Sequence, residues 1–153
     1  MRLKVAVPLL LVLAGSSAAP QSPADVLQLN RQKIDTQRRV IVGGTMVLSD
    51  EEARAFWPLF EQYQQERQKL DTRADRLVAD YVTAYSTLTD PRAATLLSEM
   101  LGIDDEYLKL RRRWIERVGK VLPPRKVVRY FQLENKLDAV VRAEMAQQIP
   151  LAP

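Results

Sequence analysis

Ser49-Asp50-Glu51-Glu52 opens the longest regular pattern in this chain, and that pattern limits the fold more than any other feature. In Ser-x-x-Glu the hydroxyl and the carboxylate each satisfy an unpaired backbone N–H of a first helical turn, so a helix starts here. Beyond it Phe56, Phe60, Tyr63, Arg67, Leu70, Ala74, Leu77, Tyr81, Ala84 and Leu88 follow in alternating steps of four and three. That spacing holds one stripe on one helical face. At about 1.5 Å per residue the helix reaches about 50 Å, longer than a compact domain of this size is wide, so an elongated fold is expected. Pro58 lies inside the pattern, where it loses a backbone donor and crowds the preceding turn; a bend over Arg54 to Pro58 follows.

Three further helices flank this one. Leu27, Ile34 and Ile41 recur every seventh residue from about Ala24 to Val42, and Gly43-Gly44 is read as the end of that first helix. Leu88-Thr89-Asp90-Pro91 repeats the start signal, with Thr89 as cap and proline where its missing N–H is tolerated. Leu96, Met100, Ile103, Tyr107, Leu110, Trp114, Arg117 and Val121 form the third stripe, with Gly102 as a soft point. Pro123-Pro124 stops it and opens a fourth helix whose apolar face is Val127, Val128, Phe131, Leu137, Val140, Val141 and Met145. Residues 149–153 read as a frayed tail. The expected architecture is all-α, four helices in an antiparallel hairpin arrangement occupying 25–148 as a single domain.

The N-terminus reads as an export signal. Arg2 and Lys4 precede an apolar run from Val5 to Leu13, and Gly15-Ser16-Ser17-Ala18-Ala19 supplies small residues for cleavage. The run is about nine residues against about twenty needed to cross a bilayer, so no transmembrane anchor is expected after cleavage. Cutting after Ala18 makes 1–18 a signal peptide and 19–24 a flexible leader. The exported chain has about 135 residues, enough for one domain with a modest core. With no cysteine it can form no disulfide, so its stability must come from packing.

The same composition narrows the chemistry. Histidine and cysteine are both absent, which removes the commonest general base, the thiol nucleophile and the preferred zinc, copper and nickel ligands. Acid pairs such as Asp104 with Asp105, or Asp71 with Asp75, are the ordinary charge of a wet helix face. Gly43-Gly44 lacks the lysine and hydroxyl of a phosphate loop. No enzyme, no cofactor and no metal site is expected.

Charge is distributed unevenly. The formal net charge is +4, and loss of Arg2 and Lys4 with the leader lowers it to about +2. Yet Lys109, Arg111, Arg112, Arg113, Arg117, Lys120, Arg125, Lys126 and Arg129 lie together with a single acid, Glu116, among them. Lys109, Arg113, Glu116 and Lys120 follow helical spacing, which is also the pattern of a solvated helix face. The density of the run also suits an anionic membrane surface or capture of acidic or unfolded protein, since Arg stems can lie on apolar surface while their heads seek carboxylates. Nucleic acid is not expected as a partner of an exported chain.

Two motifs carry a resemblance. Leu48-Ser49-Asp50-Glu51-Glu52 and Leu88-Thr89-Asp90-Pro91-Arg92, in a cysteine-free exported four-helix chain, resemble the paired Leu-Thr-x-x-Gln motifs of the Spy/CpxP-like family. Leu48, Ser49, Glu52, Leu88 and Thr89 are the matching positions. Neither copy ends in glutamine: Glu52 keeps the capping role and Arg92 cannot, which marks a divergent branch. Phe56-Trp57-Pro58, Leu122-Pro123-Pro124 and Phe131-Gln132-Leu133-Glu134-Asn135 also look like that branch. The resemblance spans roughly Asp25 to Gln148. It implies a periplasmic protein forming a cradle-like homodimer and acting as an ATP-independent holdase for unfolded or aggregation-prone clients. The family's alternatives are a regulator docking on the periplasmic domain of a stress-sensing kinase, and a metal-stress protein, which the missing His and Cys weaken.

Overall fold

In a computed structural model the described residues are 23–153; the expected signal peptide and most of the leader lie outside them. Four helices run in sequence: α1 (Pro23–Thr45), α2 (Asp50–Ala84), α3 (Asp90–Val118) and α4 (Pro124–Gln148), with one 3-10 turn (Tyr85–Thr87) after α2. The connections 46–49, 85–89 and 119–123 are too short for anything but antiparallel neighbours. α1 packs on α2, α2 on α3, α3 on α4, and α4 closes the ring on α1. The protein is an all-α, four-helix up-and-down bundle.

α2 is 35 residues long and starts as its sequence dictates. The Glu52 N–H donates to Ser49 Oγ at 3.2 Å, and the Ser49 N–H donates to Glu52 Oε2 at 2.8 Å. Ser49→Ala removes one of these bonds and should cost about 1 kcal/mol, read as a lower chemical-denaturation midpoint with unchanged slope. Thr89 takes the same position before α3 with extended backbone, but its side chain makes no capping bond. The helix passes unbroken through Pro58.

Several register readings shift. α1 does not end at Gly43-Gly44 but continues to Thr45, with no positive φ at any described residue. Packing explains it: Val42 and Met46, one turn apart, are both buried, and the Met46 N–H donates to the Val42 carbonyl at 2.8 Å. The buried positions of α1 are Arg38, Val42 and Met46, while Ile34 and Ile41 are only half-buried and the side chain of Leu27 lies outside the described residues. On α3 the inward residue after Trp114 is Val118, four residues on, not Arg117, which is exposed. Met100 of that stripe is 44 % exposed. On α4 Val128 and Val140 face outward, and Tyr130 and Glu134 take buried places instead. The tail folds back as well: the Tyr81 hydroxyl donates to the Pro150 carbonyl at 2.9 Å.

The core is concentrated at one end. Val42, Met46, Phe56, Phe60, Tyr63, Leu110, Trp114, Val118, Leu122, Val127, Tyr130 and Phe131 form one buried cluster beneath the α1–α2 and α3–α4 connections. Tyr130 reaches across from α4 to meet Phe56 edge-on, ring centroids 5.0 Å apart, and Tyr63 meets Phe131 in the same way at 5.9 Å. Such pairs add about 0.5–1.5 kcal/mol beyond the area they bury. The second half of the α2 stripe, from Ala74 to Leu88, has no such cover among the described residues and remains half-exposed.

Candidate functional site

Midway along the bundle the heptad positions turn from apolar to charged, and all four helices contribute. α1 supplies Arg31, Asp35 and Arg38; α2 supplies Gln64, Arg67, Asp71 and Asp75; α3 supplies Tyr107 and Arg111; α4 supplies Glu134 and Asp138. Arg38, fully buried, is held between the Glu134 carboxylate and Asp138 Oδ1, the latter at 3.2 Å. Arg67 bridges Asp35 and Asp71, 2.7 Å from Asp71 Oδ2, and its Nε donates to Gln64 Oε1 at 3.0 Å. Gln64 passes the chain on, donating to Glu134 Oε1 at 2.9 Å. Arg31 spans Asp71 and Asp75, each at 2.9 Å, and the Tyr107 hydroxyl donates to Asp71.

Burial dominates the proton equilibria of this layer. It pushes the Glu134 carboxyl above the usual glutamate range, against the opposing pull of Arg38 and Arg67. Asp75 is raised for the same reason, with Arg31 opposing. Tyr63 is pushed up to about 12 by burial and by the nearby Glu134 and Asp138 charges. Burial opposes the charge on Arg67, but Asp71 and Asp35 outweigh it and hold the guanidinium firmly protonated. Every carboxylate in the layer is bound by a guanidinium. Among the described residues no cluster of acids is arranged to hold a metal ion.

Above this layer, at the end away from the aromatic core, the helices enclose an open groove of about 850 Å³. Leu77, Val78 and Tyr81 of α2, Leu96, Met100 and Ile103 of α3, and Val141 and Met145 of α4 form its walls. Arg31, Arg67, Asp71, Arg111 and Asp138 form its floor, and Ile149 and Ala152 of the tail reach its rim. The apolar stripes of α2 and α3 continue past the charged layer and form most of the groove's walls.

The nine cations of the basic run are not one surface. Arg111 reaches Asp138 Oδ2 at 3.4 Å, Arg113 meets Glu66 at 2.9 Å, and Lys126 meets Glu52 at 2.5 Å. Arg117 lies over the Trp114 ring, 4.8 Å from its centroid, and 3.9 Å from Glu66. The acids absent from the run in sequence thus come from α2 and α4. Arg113 overcomes partial burial to hold Glu66 below the usual range. Lys109, Arg112, Lys120, Arg125 and Arg129 are exposed and form no ion pair among the described residues. Lys120, Arg125 and Arg129 surround the α3–α4 connection at the closed end, so the bulk of the free cations and the groove lie at opposite ends of the bundle.

Sequence reading singled out Arg67 but missed Arg38, Asp71 and Glu134 as buried. The usable signal was positional: Val127, Phe131, Glu134, Asp138, Val141 and Met145 step by four and three without a break. The chain matches no protein-family model, and no curated protein or solved structure is significantly similar to it.

Proposed function

We propose that this chain is a periplasmic, ATP-independent holdase that shelters apolar segments of unfolding proteins, working as a homodimer. The open groove carries the reading. A bundle of this size ordinarily closes its stripes on each other, whereas here Leu77, Val78, Tyr81, Met100 and Met145 line about 850 Å³ that nothing in the described chain fills. Methionine and leucine walls adapt to many apolar shapes, which suits broad and weak capture. The charged layer beneath keeps the bundle registered while the groove stays open. The free cations Lys109, Arg112, Lys120, Arg125 and Arg129 attract acidic chains from a distance. Membership of the Spy/CpxP-like family, a divergent cradle-shaped branch, belongs to the same proposal and rests on the openings at Leu48 and Leu88. The engagement of each layer carboxylate by arginine supports a binding protein over a catalyst.

The test is suppression of aggregation of an unrelated unfolding protein by the purified mature chain without nucleotide. Leu77→Asp with Met100→Asp should abolish protection while leaving far-ultraviolet circular dichroism unchanged. Reversing the five free cations to Glu should slow capture and remove its dependence on salt, because surface attraction is screened beyond about 8 Å at 0.15 M ionic strength. A groove variant that stays folded and protects clients as well as the parent would sink the proposal.

A further inference from the structure

α2 and α4 run the same way and lie diagonally in the ring, so both of their C-termini reach the open end of the bundle. Residues 149–153 leave α4 there and cross to α2, where the Tyr81 hydroxyl donates to the Pro150 carbonyl at 2.9 Å. Ile149 and Ala152 line the groove, while Leu151 between them is 90 % exposed. A step of three residues from one groove contact to the next is that of an extended polyproline-type chain, which forms no hydrogen bonds within itself. The sequence favours that conformation, because Ile149 and Ala152 each precede a proline and are thereby kept from the helical region. Ile149 has φ −89° and ψ 116°.

The segment has the chemistry of a guest. No residue from 149 to 153 is charged, and its two prolines have no N–H to leave unpaired against an apolar wall. The Ile149 N–H is already satisfied by the Met145 carbonyl at 3.0 Å. What remains is an extended apolar stretch that offers the groove two side chains and one carbonyl. Its grip is slight. A single neutral hydrogen bond favours a docked state over a free one by only about two- to tenfold, and Leu151 adds nothing from its place in water.

We infer that residues 149–153 are a tethered competitor for the groove, an internal strap held by the Tyr81 hydroxyl. An extended apolar segment of a client displaces the strap and takes over that hydroxyl with a backbone carbonyl of its own. This rests on the holdase reading above and adds how the site is guarded and which polar contact it offers. Tethering keeps the strap at a high local concentration, so a segment that binds more weakly than the strap is turned away. Tyr85 braces the Tyr81 ring edge-on, centroids 5.9 Å apart.

Insulin B chain released by dithiothreitol serves as client, since a chain without cysteine is untouched by the reductant. The readout is the concentration of mature chain that halves the client's aggregation. Deleting 150–153 leaves Ile149 and its hydrogen bond in place and should lower that concentration about fivefold, because apparent affinity scales with the fraction of sites that stand open. Ala152→Asp keeps the chain length, sets a charge against the apolar wall and should lower it similarly with unchanged helicity. Tyr81→Phe should raise the half-protective concentration about fivefold on the deleted background. In the whole chain it should change it by less than about twofold, since strap and client lose the same bond. Equal protection with and without 150–153, or a Tyr81→Phe penalty that is the same in both backgrounds, would overturn the strap alone. If neither the parent nor any variant protects the client, the holdase reading falls and this inference with it.

Discussion

Arg38→Met should destabilise the bundle by about 3–5 kcal/mol at neutral pH, whereas Glu134→Gln should cost only about 1 kcal/mol. The two side chains are partners, yet their removal is not symmetric. Without Arg38 the Glu134 carboxylate is left buried with no guanidinium directly bonded to it, only the neutral Gln64 amide and Tyr130 hydroxyl. Without the Glu134 charge, Arg38 still has Asp138 at 3.2 Å and Asp35 at 3.4 Å. The layer holds four guanidiniums, from Arg31, Arg38, Arg67 and Arg111, against five carboxylates, so it tolerates losing an acid better than losing a base. The double variant Arg38→Met with Glu134→Gln should recover most of the loss, and the coupling in that cycle measures the pair.

The pH dependence has a definite sign. Glu134 has its folded pKa raised above 4.5, so the native state holds that proton more tightly than the unfolded chain. Its contribution is therefore greatest when protonated and falls as pH rises from 4.5 through the folded value. Taking away Arg38 removes the strongest influence holding that pKa down and widens the window upward. The penalty of Arg38→Met should shrink as pH is lowered toward 4.5, and the same substitution on a Glu134→Gln background should lose that trend. Denaturant melts at several pH values read both; a penalty independent of pH would mean Arg38 acts through packing alone.

The length of α2 and its start at Ser49 were legible because they rest on local chemistry, a capping box and a sustained period. The inward face of α3 was legible up to Trp114 and then slipped by one residue, since Arg117 and Val118 are equally close to the seam and only tertiary contact distinguishes them. The charged layer was not legible because a periodicity argument counts apolar residues. Arg38, Glu134 and Asp138 occupy core positions that such a count scores as surface. The groove was half-legible: the stripe from Ala74 to Leu88 was visible, but that it stays half-exposed among the described residues depends on how the other helices pack against it. Partners of the basic run were invisible for a similar reason, as Glu52, Glu66 and Asp138 lie on other helices.

Trp114→Ala should cost about 3–5 kcal/mol, close to the whole stability of a marginal domain, while Met100→Ala should cost under about 1 kcal/mol. Both residues belong to the same helix and the same expected stripe, and the difference lies in what surrounds them. Trp114 is fully buried against Tyr63, ring centroids 5.8 Å apart, within the cluster that Phe56, Phe60, Val118 and Phe131 complete. Deleting its indole leaves a cavity walled by aromatic rings that are themselves interlocked and cannot close the gap, so the transfer loss and the cavity loss add. Met100 is 44 % exposed at the edge of an existing groove, so its loss enlarges a space already open to water and creates no new void. Amide exchange should divide the same way, with protection near the global limit around Tyr63, Trp114 and Tyr130 and weaker protection beyond Leu77 on α2 and before Ile103 on α3. If binding of an apolar client then raises protection selectively in that second region, the same groove that costs the bundle stability is the one that does its work. Equal costs at Trp114 and Met100, or uniform protection along α3, would mean that the open half is packed as tightly as the core.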